Sequence, residues 1–490
     1  MKWDKERIEN IFYIAFGIIC WLLIWQKAIN IPMTHDEVGT AIYYGFMSIK
    51  DIITYENPVP NNHILNTLLL KLSMNIFGVH PWAIRLPNIL SFLCYYFFAI
   101  KFLRKYITNS ILQYVGLLLF VLNPYFFDFF SLARGYAMST ALMMASIFYF
   151  FEFIKNGDNK NLILTLSIAV LSVLANFTIL NYYMPLLLFI AVASLISNYK
   201  DNKKLIFVQY AICAGFTLFL GAISYLPITK MVATKQFIYW GSSGFYNDTL
   251  KHLLFCSRYN VPYFDWPLDM MLLIMACIIS FFVILVVLLN YNWKKWNLPL
   301  ISFLLLLVVG MYNVLQHNLM DVPFLNARTA IFLIPLTFIP FIFALERLRA
   351  YNKIVGMILI VFLGGLSTQH FIRAYKSKSA FEWYLDENTY QVLDKIKEIV
   401  ERENLNKPVK LNCTWVFHPS LLFHTQYDYP GMVDLVTYHK EVQPNSDSEF
   451  YYAQPEDLEV LKSKYEIVWA INGGHRYLLR LKKLPPSTLK

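Results

Sequence analysis

The chain has 490 residues, of which 57% are hydrophobic and only 15% are charged. Soluble domains carry about 25% charged residues, so a series of ordinary soluble domains is excluded. Its 18 glycines, 21 prolines and 6 cysteines also exclude a collagen-like chain, a disordered chain and a disulfide scaffold. In a soluble protein, the formal net charge of +10 would indicate nucleic-acid binding. In a membrane protein, the interpretation of this charge depends on where the basic residues lie relative to the membrane.

Long apolar stretches recur along residues 1–375 and predict a polytopic α-helical membrane protein. A spanning helix needs about 20 mostly apolar residues, because only a helix satisfies its own backbone inside hydrocarbon. The stretches predict about eleven spans, at 11–28, 86–104, 110–127, 137–154, 162–178, 180–197, 205–227, 270–290, 298–316, 329–345 and 354–372. The fifth and sixth are divided only by a short polar break. The first span is expected to be a retained anchor, since no small-residue cleavage site follows it.

Basic residues lie mainly in one alternating set of the connections between these spans. Sixteen Lys and Arg occupy the short connections of that set, and ten are spread over the much longer connections of the other. Cytoplasmic loops are enriched in Lys and Arg, so the first set and the N-terminus are predicted to be cytoplasmic. The C-terminus is then periplasmic or extracellular. Two long outer loops, 30–85 and 228–269, follow from this orientation, and apolar spacing in the first predicts surface helices over 38–55 and 63–77.

From residue 376 onward the composition is that of a soluble protein. The pattern predicts a helix over 381–403, strands over 409–417 and 465–471, a hairpin turn at Asn472-Gly473 and a return strand over 475–481. Residues 376–490 are therefore expected to form a small extracytoplasmic α/β domain. Two cysteines predicted to lie outside, Cys256 and Cys413, could form a disulfide. No metal-ligand spacing, Walker loop or dinucleotide-binding glycine pattern is present.

The positions of the charged residues favour an enzyme acting at the membrane surface over a transporter. Transporters keep ionisable groups near the bilayer midplane, where the substrate crosses. Here the predicted spans are nearly free of charge through their centres, and Arg85, Asp128, Arg134 and Arg328 all lie at predicted outer ends. Chemistry is therefore expected at the outer interface.

Two polar clusters in the first outer loop are candidates for that chemistry. Asp36 and Glu37 follow the first span, and adjacent carboxylates could supply a general base and a supporting group. Equally, Asp36 could cap the following helix and Glu37 could be a first-turn acid that suits the helix dipole. Asn61, Asn62 and His63 form the second cluster, in which the amides suit sugar hydroxyls or phosphate, although an isolated interfacial His is more often structural.

Two further clusters contain arginine. Asp128 and Arg134-Gly135-Tyr136 join the third and fourth spans, either as a binding site or as an interfacial ion pair with an aromatic-belt tyrosine. Arg328 precedes the tenth span, where it could bind a phosphate with two hydrogen bonds or extend to the interface without a function. All four clusters fall on one predicted side of the membrane, which favours a site for a phosphate-bearing lipid.

The order of these motifs resembles GT-C-type glycosyltransferases of the protein O-mannosyltransferase and aminoarabinose-transferase superfamily. The resemblance runs through Asp36-Glu37, Asn61-Asn62-His63-Ile64-Leu65-Asn66, Phe77-Gly78, Arg85-Leu86-Pro87, Leu132-Ala133-Arg134-Gly135-Tyr136, Arg328 and Pro335. It is good over the first 140 residues, thin from there to about 320, and absent from the C-terminal domain. It implies a GT-C-like fold, with 1–375 as the catalytic domain.

The resemblance also implies an activity and residue roles. The enzyme would transfer one sugar from a polyprenyl-phosphate-sugar donor to a lipid, glycan or protein acceptor at the outer face, with inversion. Asp36 would be the base and Glu37 a supporting residue, and nearby cations would keep Asp36 ionised. Arg134 and Arg328 would bind the donor phosphate, and the substrate-binding residues would be His63, Asn62 and Tyr136. No cofactor, metal or nucleic acid is implied.

Three alternatives remain open from the sequence. A related transferase could move a whole glycan or another phosphate-activated group. A transporter or flippase of a lipid-linked sugar is disfavoured by the uncharged span centres and the large outer domain. If the protein were a non-catalytic scaffold, the order of these motifs would be a coincidence.

Overall fold

The computed structural model describes residues 5–198, 203–236, 241–261, 297–471 and 474–482. The predicted span at 270–290 and the predicted turn residues Asn472-Gly473 lie outside this description. The described chain forms two compact units. The first comprises Met1–Trp25, Met47–Leu72 and Arg85–Tyr375, and the second comprises Gln26–Phe46, Ser73–Ile84 and Lys376–Lys490. The predicted domains 1–375 and 376–490 remain a prediction.

Helices account for nearly all of the described chain before residue 376. Their bounds are α1 Lys5–Asn30, α2 His35–Val38, α3 Ile49–Thr54, α4 Ile64–Phe77, α5 Pro81–Tyr106, α6 Ser110–Val121, α7 Pro124–Asp128, α8 Gly135–Asn156, α9 Asn159–Ala175, α10 Leu180–Asn198, α11 Lys203–Ala233, α12 His252–Arg258, α13 Leu298–Met320, α14 Leu333–Tyr351 and α15 Lys353–Ala374. A π-helix, Gly39–Tyr44, continues α2. The helix predicted over 63–77 is confirmed as α4. The helix predicted over 38–55 is interrupted at 45–48, between the π-helix and α3. Their position on the membrane surface stays a prediction.

Within the described residues, seven helices are long and apolar enough to cross a membrane, or eight if a bent pair counts as one span. The predicted number of about eleven is therefore not confirmed. Besides the bent pair, two predicted spans coincide with helices outside these seven. α9 has only 17 residues, and α14 ends in a charged stretch containing Glu346, Arg347 and Arg349. The fold class is nevertheless the predicted one, a polytopic helical protein with a small sheet domain.

A sharp break divides the span predicted at 110–127. α6 and the segment Pro124–Ser131 meet at 62°. Proline lacks the N–H that would continue α6, and it suits the first position of a new helix. Asn123 caps that new helix, its side-chain oxygen accepting the N–H of Phe126 at 3.0 Å. The break turns the chain into the segment that leads to Arg134 and the start of α8.

The second unit contains a five-stranded mixed sheet. Its strands are β1 Val409–Cys413, β2 Val433–Leu435, β3 Phe450–Ala453, β4 Tyr465–Ile471 and β5 Arg476–Leu481, in the order β2-β1-β3-β5-β4. β1 is parallel to β2 and β3, whereas β5 is antiparallel to β3 and β4. Three helices accompany it, α16 Thr389–Arg402, α17 His418–Tyr427 and α18 Leu458–Leu461. Val392, Leu393, Ile396 and Val400 of α16 lie in one buried core with β1.

Several predicted limits in this domain are corrected. The helix predicted over 381–403 begins at Thr389, because Tyr384–Asn388 forms a 3₁₀ turn before it. The strand predicted over 409–417 ends at Cys413, where a further 3₁₀ turn begins after Thr414. The strand over 465–471 and its antiparallel return strand are confirmed. The possible disulfide between Cys256 and Cys413 is not formed in the described part of the chain.

The second unit also includes the C-terminal end of α1. Lys27 is buried there, and its ammonium group donates to the carbonyl oxygens of Lys376 and Ser379, at 2.5 and 2.9 Å. A buried ammonium group requires such partners, since removing it from water without them would be costly. The Lys27 contacts therefore fix the segment that carries Asp36 and Glu37 beside the chain from 376 onward.

Candidate active site

The carboxylates of α2 have different local roles. Thr34 is the N-cap residue of α2, with extended backbone angles of −79° and 157°. The carboxylate of Glu37 reaches back and accepts the N–H of Thr34 at 3.0 Å, the Glu half of a capping box. The alternative prediction that Asp36 is the cap is therefore wrong, because Thr34 occupies that position. Glu37 is fully buried, and Asp36 is half-buried.

Three consecutive backbone amides before Asp36 donate to side chains. The bonds run from Met33 to Nε2 of His424 (2.9 Å), from Thr34 to Glu37 (3.0 Å) and from His35 to Oδ2 of Asp386 (2.9 Å). The first amides of a helix have no partner within the helix, so side chains complete their hydrogen bonding here. Two of the three acceptors come from the chain beyond residue 376. The position of Asp36 is thus set by bonds between residues that lie 351 and 391 positions apart in sequence.

Asp386 is a buried acid beside Asp36 and Glu37. Its carboxyl is 2% exposed, and one of its oxygens, Oδ1, has no hydrogen-bond partner among the described residues. The pKa of Asp386 is raised to about 8, mainly by burial and also by the charges of Asp36 and Glu37, against the N–H of His35 and the charge of Arg476. At neutral pH Asp386 therefore holds a proton, which limits the negative charge beside Asp36.

His424 is fixed on both sides of its ring. Nε2 accepts the N–H of Met33, so the proton lies on Nδ1, which donates to Asp428. The side chain is fully buried, and its ring lies 4.5 Å from that of Tyr390. The ring of His35 is also held, since Nδ1 donates to the carbonyl oxygen of Val416 at 3.2 Å. These contacts leave α2 little freedom.

The other predicted site residues lie in the first unit, where Arg134 is central. Arg134 is 1% exposed and precedes the first residue of α8. Its Nη2 donates to Oδ1 of Asn61 at 3.3 Å, and its guanidinium carbon lies 5.7 Å from the ring centroid of Tyr136. The ring of His63 meets that of Tyr136 edge-on at 5.1 Å. The structure thus brings together two of the predicted clusters, from the first outer loop and from the start of α8.

Close packing at Gly135 holds these residues together. A Cβ added to Gly135 would lie 2.0 Å from the carbonyl oxygen of Ala175 and 3.0 Å from Cβ of His63. Two residues earlier, the carbonyl oxygen of Ala133 accepts the side-chain amide of Asn66 at 3.3 Å. Asn88 donates in turn to Asn66 at 2.6 Å. Only glycine allows the start of α8 to approach α9 and His63 this closely.

Asn62 has a structural role in the first outer loop. It is fully buried, and its Nδ2 donates to the carbonyl oxygen of Ile52 at 2.8 Å. Its own carbonyl oxygen accepts the hydroxyl of Tyr55. Its side-chain oxygen has no hydrogen-bond partner among the described residues. Substrate binding by Asn62 stays a prediction.

Asp128 and Arg328 lie on separate segments of the first unit. Asp128 is buried and accepts the hydroxyl of Tyr259 at 2.7 Å. Arg328 lies half-buried in a 3₁₀ helix, Ala327–Ala330, which is capped by Asn326 and precedes α14. The role of Arg328 at a phosphate stays a prediction. Across the part of the chain that the structure describes, no three His, Cys, Asp or Glu side chains are placed to hold a metal ion.

Comparison with known proteins identifies the architecture. The chain is similar to two crystal structures of ArnT from Cupriavidus metallidurans. The TM-score is 0.51 and the sequence identity 11% for ArnT bound to undecaprenyl phosphate. For ArnT in the apo state they are 0.51 and 10%. Each alignment covers 96% of this chain and 97% of the ArnT chain. The chain has a GT-C fold.

Sequence comparison supports this assignment of the GT-C fold. Residues 61–225 match the family described as dolichyl-phosphate-mannose-protein mannosyltransferase. The matched region contains Asn61, His63, Arg134 and Tyr136, the residues that the structure brings together. No curated protein matches the chain. The superfamily resemblance predicted from the sequence motifs is confirmed.

The sequence did not predict two residues whose side chains bind the backbone just before Asp36. Asp386 and His424 lie in the C-terminal domain, where the resemblance offered no motif. Asp386 precedes a helix as many capping acids do, and His424 follows the pattern of a buried helix face. Neither signal could indicate a bond to an amide in the first outer loop.

Proposed function

We propose that this protein is a membrane glycosyltransferase that moves a single sugar from a polyprenyl-phosphate-sugar donor to an acceptor at the outer face of the membrane. The observation that carries the proposal is the buried Arg134, packed with Asn61, His63 and Tyr136 at the start of α8, in the region that matches the mannosyltransferase family. The similar ArnT binds undecaprenyl phosphate, which supports a polyprenyl-phosphate donor.

Arg134 has the chemistry that a phosphate-bearing donor requires. A guanidinium group presents its donors in a planar fork that matches two phosphate oxygens. The N-terminus of a long helix adds partial positive charge, and α8 has 22 residues. Charge builds on the donor phosphate as the glycosidic bond breaks, so fixed positive charge there favours the transition state. We assign Arg328 to the same phosphate, and His63, Asn62 and Tyr136 to the substrates.

The reaction is a direct displacement at the anomeric carbon. The acceptor hydroxyl oxygen forms a bond to C1 of the sugar while the bond between C1 and the phosphate oxygen breaks. The hydroxyl proton passes to the carboxylate of Asp36, and the bonding electrons leave with the polyprenyl phosphate. Glu37 supports Asp36 by holding the N-cap of α2. A single displacement inverts the anomeric configuration, and no covalent intermediate forms.

Transfer and translocation of the donor are separated by one experiment. Purified protein is supplied with radiolabelled polyprenyl-phosphate sugars and lipid, glycan and protein acceptors, and the anomeric configuration of the product is read by NMR. In parallel, vesicles containing the protein report movement of the labelled donor between leaflets. Transfer with inversion is expected. Translocation without transfer would support the flippase, and transfer with retention would exclude direct displacement.

A further inference from the structure

The C-terminal domain contributes two of the hydrogen-bond acceptors that hold the backbone immediately before Asp36. Asp386 accepts the N–H of His35, and His424 accepts the N–H of Met33, both at 2.9 Å. The Asp386 bond lies one residue from Asp36 and the His424 bond three residues from it. Neither contact involves the Asp36 carboxylate itself, so both act through the main chain.

Both acceptors are rigid. His424 is fully buried and is held at Nδ1 by Asp428. Asp386 is 2% exposed, and its main-chain carbonyl oxygen accepts the hydroxyl of Thr389 at 2.9 Å. A surface side chain would lose its bond to water easily, whereas the His424 bond is buried and the Asp386 bond is partly buried. An amide shielded from water that loses its acceptor is left with an unsatisfied hydrogen-bond donor, so α2 has a strong preference for the observed position.

We propose that Asp386 and His424 are positioning residues of the transfer reaction, which orient Asp36 by binding the backbone amides of His35 and Met33. This inference rests on the proposed function, because it assigns the two residues to the base of that reaction. It makes the C-terminal domain part of the catalytic apparatus rather than an appended module. A displacement of about 1 Å at a reacting group can reduce a rate roughly 100-fold, so loss of either acceptor is expected to slow the chemical step.

Two substitutions at Asp386 distinguish the effect of its hydrogen-bond acceptor from the effect of its side-chain volume. Asp386→Asn keeps a carbonyl oxygen near the position of Oδ2, and Asp386→Leu has similar volume without an acceptor. We expect the Asn variant to keep kcat within about threefold and the Leu variant to lose about 100-fold. The KM for the donor should change little in both, since the donor phosphate is assigned to Arg134 and Arg328.

A second pair at His424 tests the other bond in the same way. His424→Gln places an amide oxygen near Nε2, whereas His424→Phe keeps a ring without an acceptor. The Gln variant is expected to retain kcat far better than the Phe variant. Tyr429→Phe provides the matched control, because it removes a hydrogen bond to Asp394 in the same domain but none to α2. Its kcat should equal that of the wild type.

All variants are made in the full-length protein and measured for kcat, donor KM and thermal unfolding. The proposal is overturned if Asp386→Leu and His424→Phe fold and transfer at the wild-type rate, or if each acceptor-keeping variant folds and loses as much kcat as its partner. If the Leu or Phe variant fails to fold, the Asn and Gln variants decide: retained kcat supports the proposal and lost kcat contradicts it. Absence of transfer by the wild type would instead contradict the proposed function.

Discussion

The proton on Asp386 couples the candidate base to pH. Its pKa is raised from its ordinary value of 3.8 to about 8, first by burial and then by the charges of Asp36 and Glu37. The groups that oppose this shift are the N–H of His35 and the guanidinium of Arg476, which itself pairs with Glu387 at 3.5 Å. Above about pH 8 a third negative charge would therefore appear beside α2.

This raised pKa predicts that the fold loses stability as pH rises from about 4 to about 8. Over that range the folded protein holds a proton on Asp386 that the unfolded chain has released, so unfolding releases a proton and rising pH favours it. Asp386→Asn removes the titrating group. The variant should show a smaller fall in Tm between pH 5 and pH 8 and a higher Tm at pH 8.

The control for this measurement is Asp434→Asn, which replaces an exposed carboxyl on β2 and should leave the wild-type pH dependence unchanged. Equal slopes of Tm against pH in the wild type and in Asp386→Asn would show that Asp386 is not protonated in the folded protein.

Arg134 should contribute mainly to the transition state of the transfer. Arg134→Gln removes the charge and the fork of donors, and a loss of about 100- to 1000-fold in kcat/KM is expected for one lost group of this kind. Arg134→Lys keeps the charge but not the fork, so its loss should be smaller. Steady-state kinetics at varied donor concentration measure both. A wild-type kcat/KM in Arg134→Gln would remove this residue from the site.

At the scale of elements, the contact between the start of α8 and the end of α9 should decide whether the Arg134 cluster forms. In Gly135→Ala the added Cβ would lie 2.0 Å from the carbonyl oxygen of Ala175, so the two helices must separate. Overpacking of this kind costs about 1–3 kcal/mol. A lower Tm and a reduced kcat/KM are expected.

Gly215→Ala is the matched control, since it lies in α11 and an added Cβ there meets no atom within 4 Å. Its Tm and activity should equal those of the wild type. If Gly135→Ala behaves in the same way, the close approach between α8 and α9 does not determine the geometry of the site.

The sequence predicted helices and strands correctly where a single local property, such as apolar length or alternation, determines the element. Apolar length located α1, α5, α8, α10, α11, α13 and α15, and alternation located β4 and its return strand. The 62° break before Pro124 was missed because the apolar composition continues through it. β2 and β3 were missed because strands of 3 and 4 residues are too short to show a period. Start positions also moved where 3₁₀ turns precede a helix.

The candidate site shows the limit of such prediction at the residue scale. The order and sidedness of the motifs indicated Asp36, Arg134, His63 and Tyr136, and packing brings the last three together. Asp386 could not be found, because its bond to the His35 amide joins residues 351 positions apart. Nothing in either local sequence specifies a contact that only the tertiary fold creates.

At the scale of the whole molecule, the distribution of Lys and Arg predicts that the C-terminal domain lies outside the cytoplasm. A cysteine placed at the exposed Asp434 should react with a membrane-impermeant maleimide in intact spheroplasts. A cysteine at the exposed Lys160, in the first turn of α9 and predicted to be cytoplasmic, should react only after lysis. The reverse pattern would invert the topology and would place Asp36 on the wrong side for an external acceptor.

A comparison of Asp36→Asn with Glu37→Gln tests whether Asp36 is the base for sugar transfer from a polyprenyl-phosphate donor. Both substitutions remove one carboxylate from α2, and the Gln side chain can still accept the N–H of Thr34. Transfer of radiolabelled sugar and affinity for the donor are measured on each purified variant.

Asp36→Asn is expected to lower kcat by about 100- to 10,000-fold, the contribution typical of general base catalysis, with unchanged donor affinity and Tm. Glu37→Gln should lose no more than about tenfold, because it supports the helix rather than accepting the proton. Transfer by Asp36→Asn at the wild-type rate would exclude Asp36 as the base.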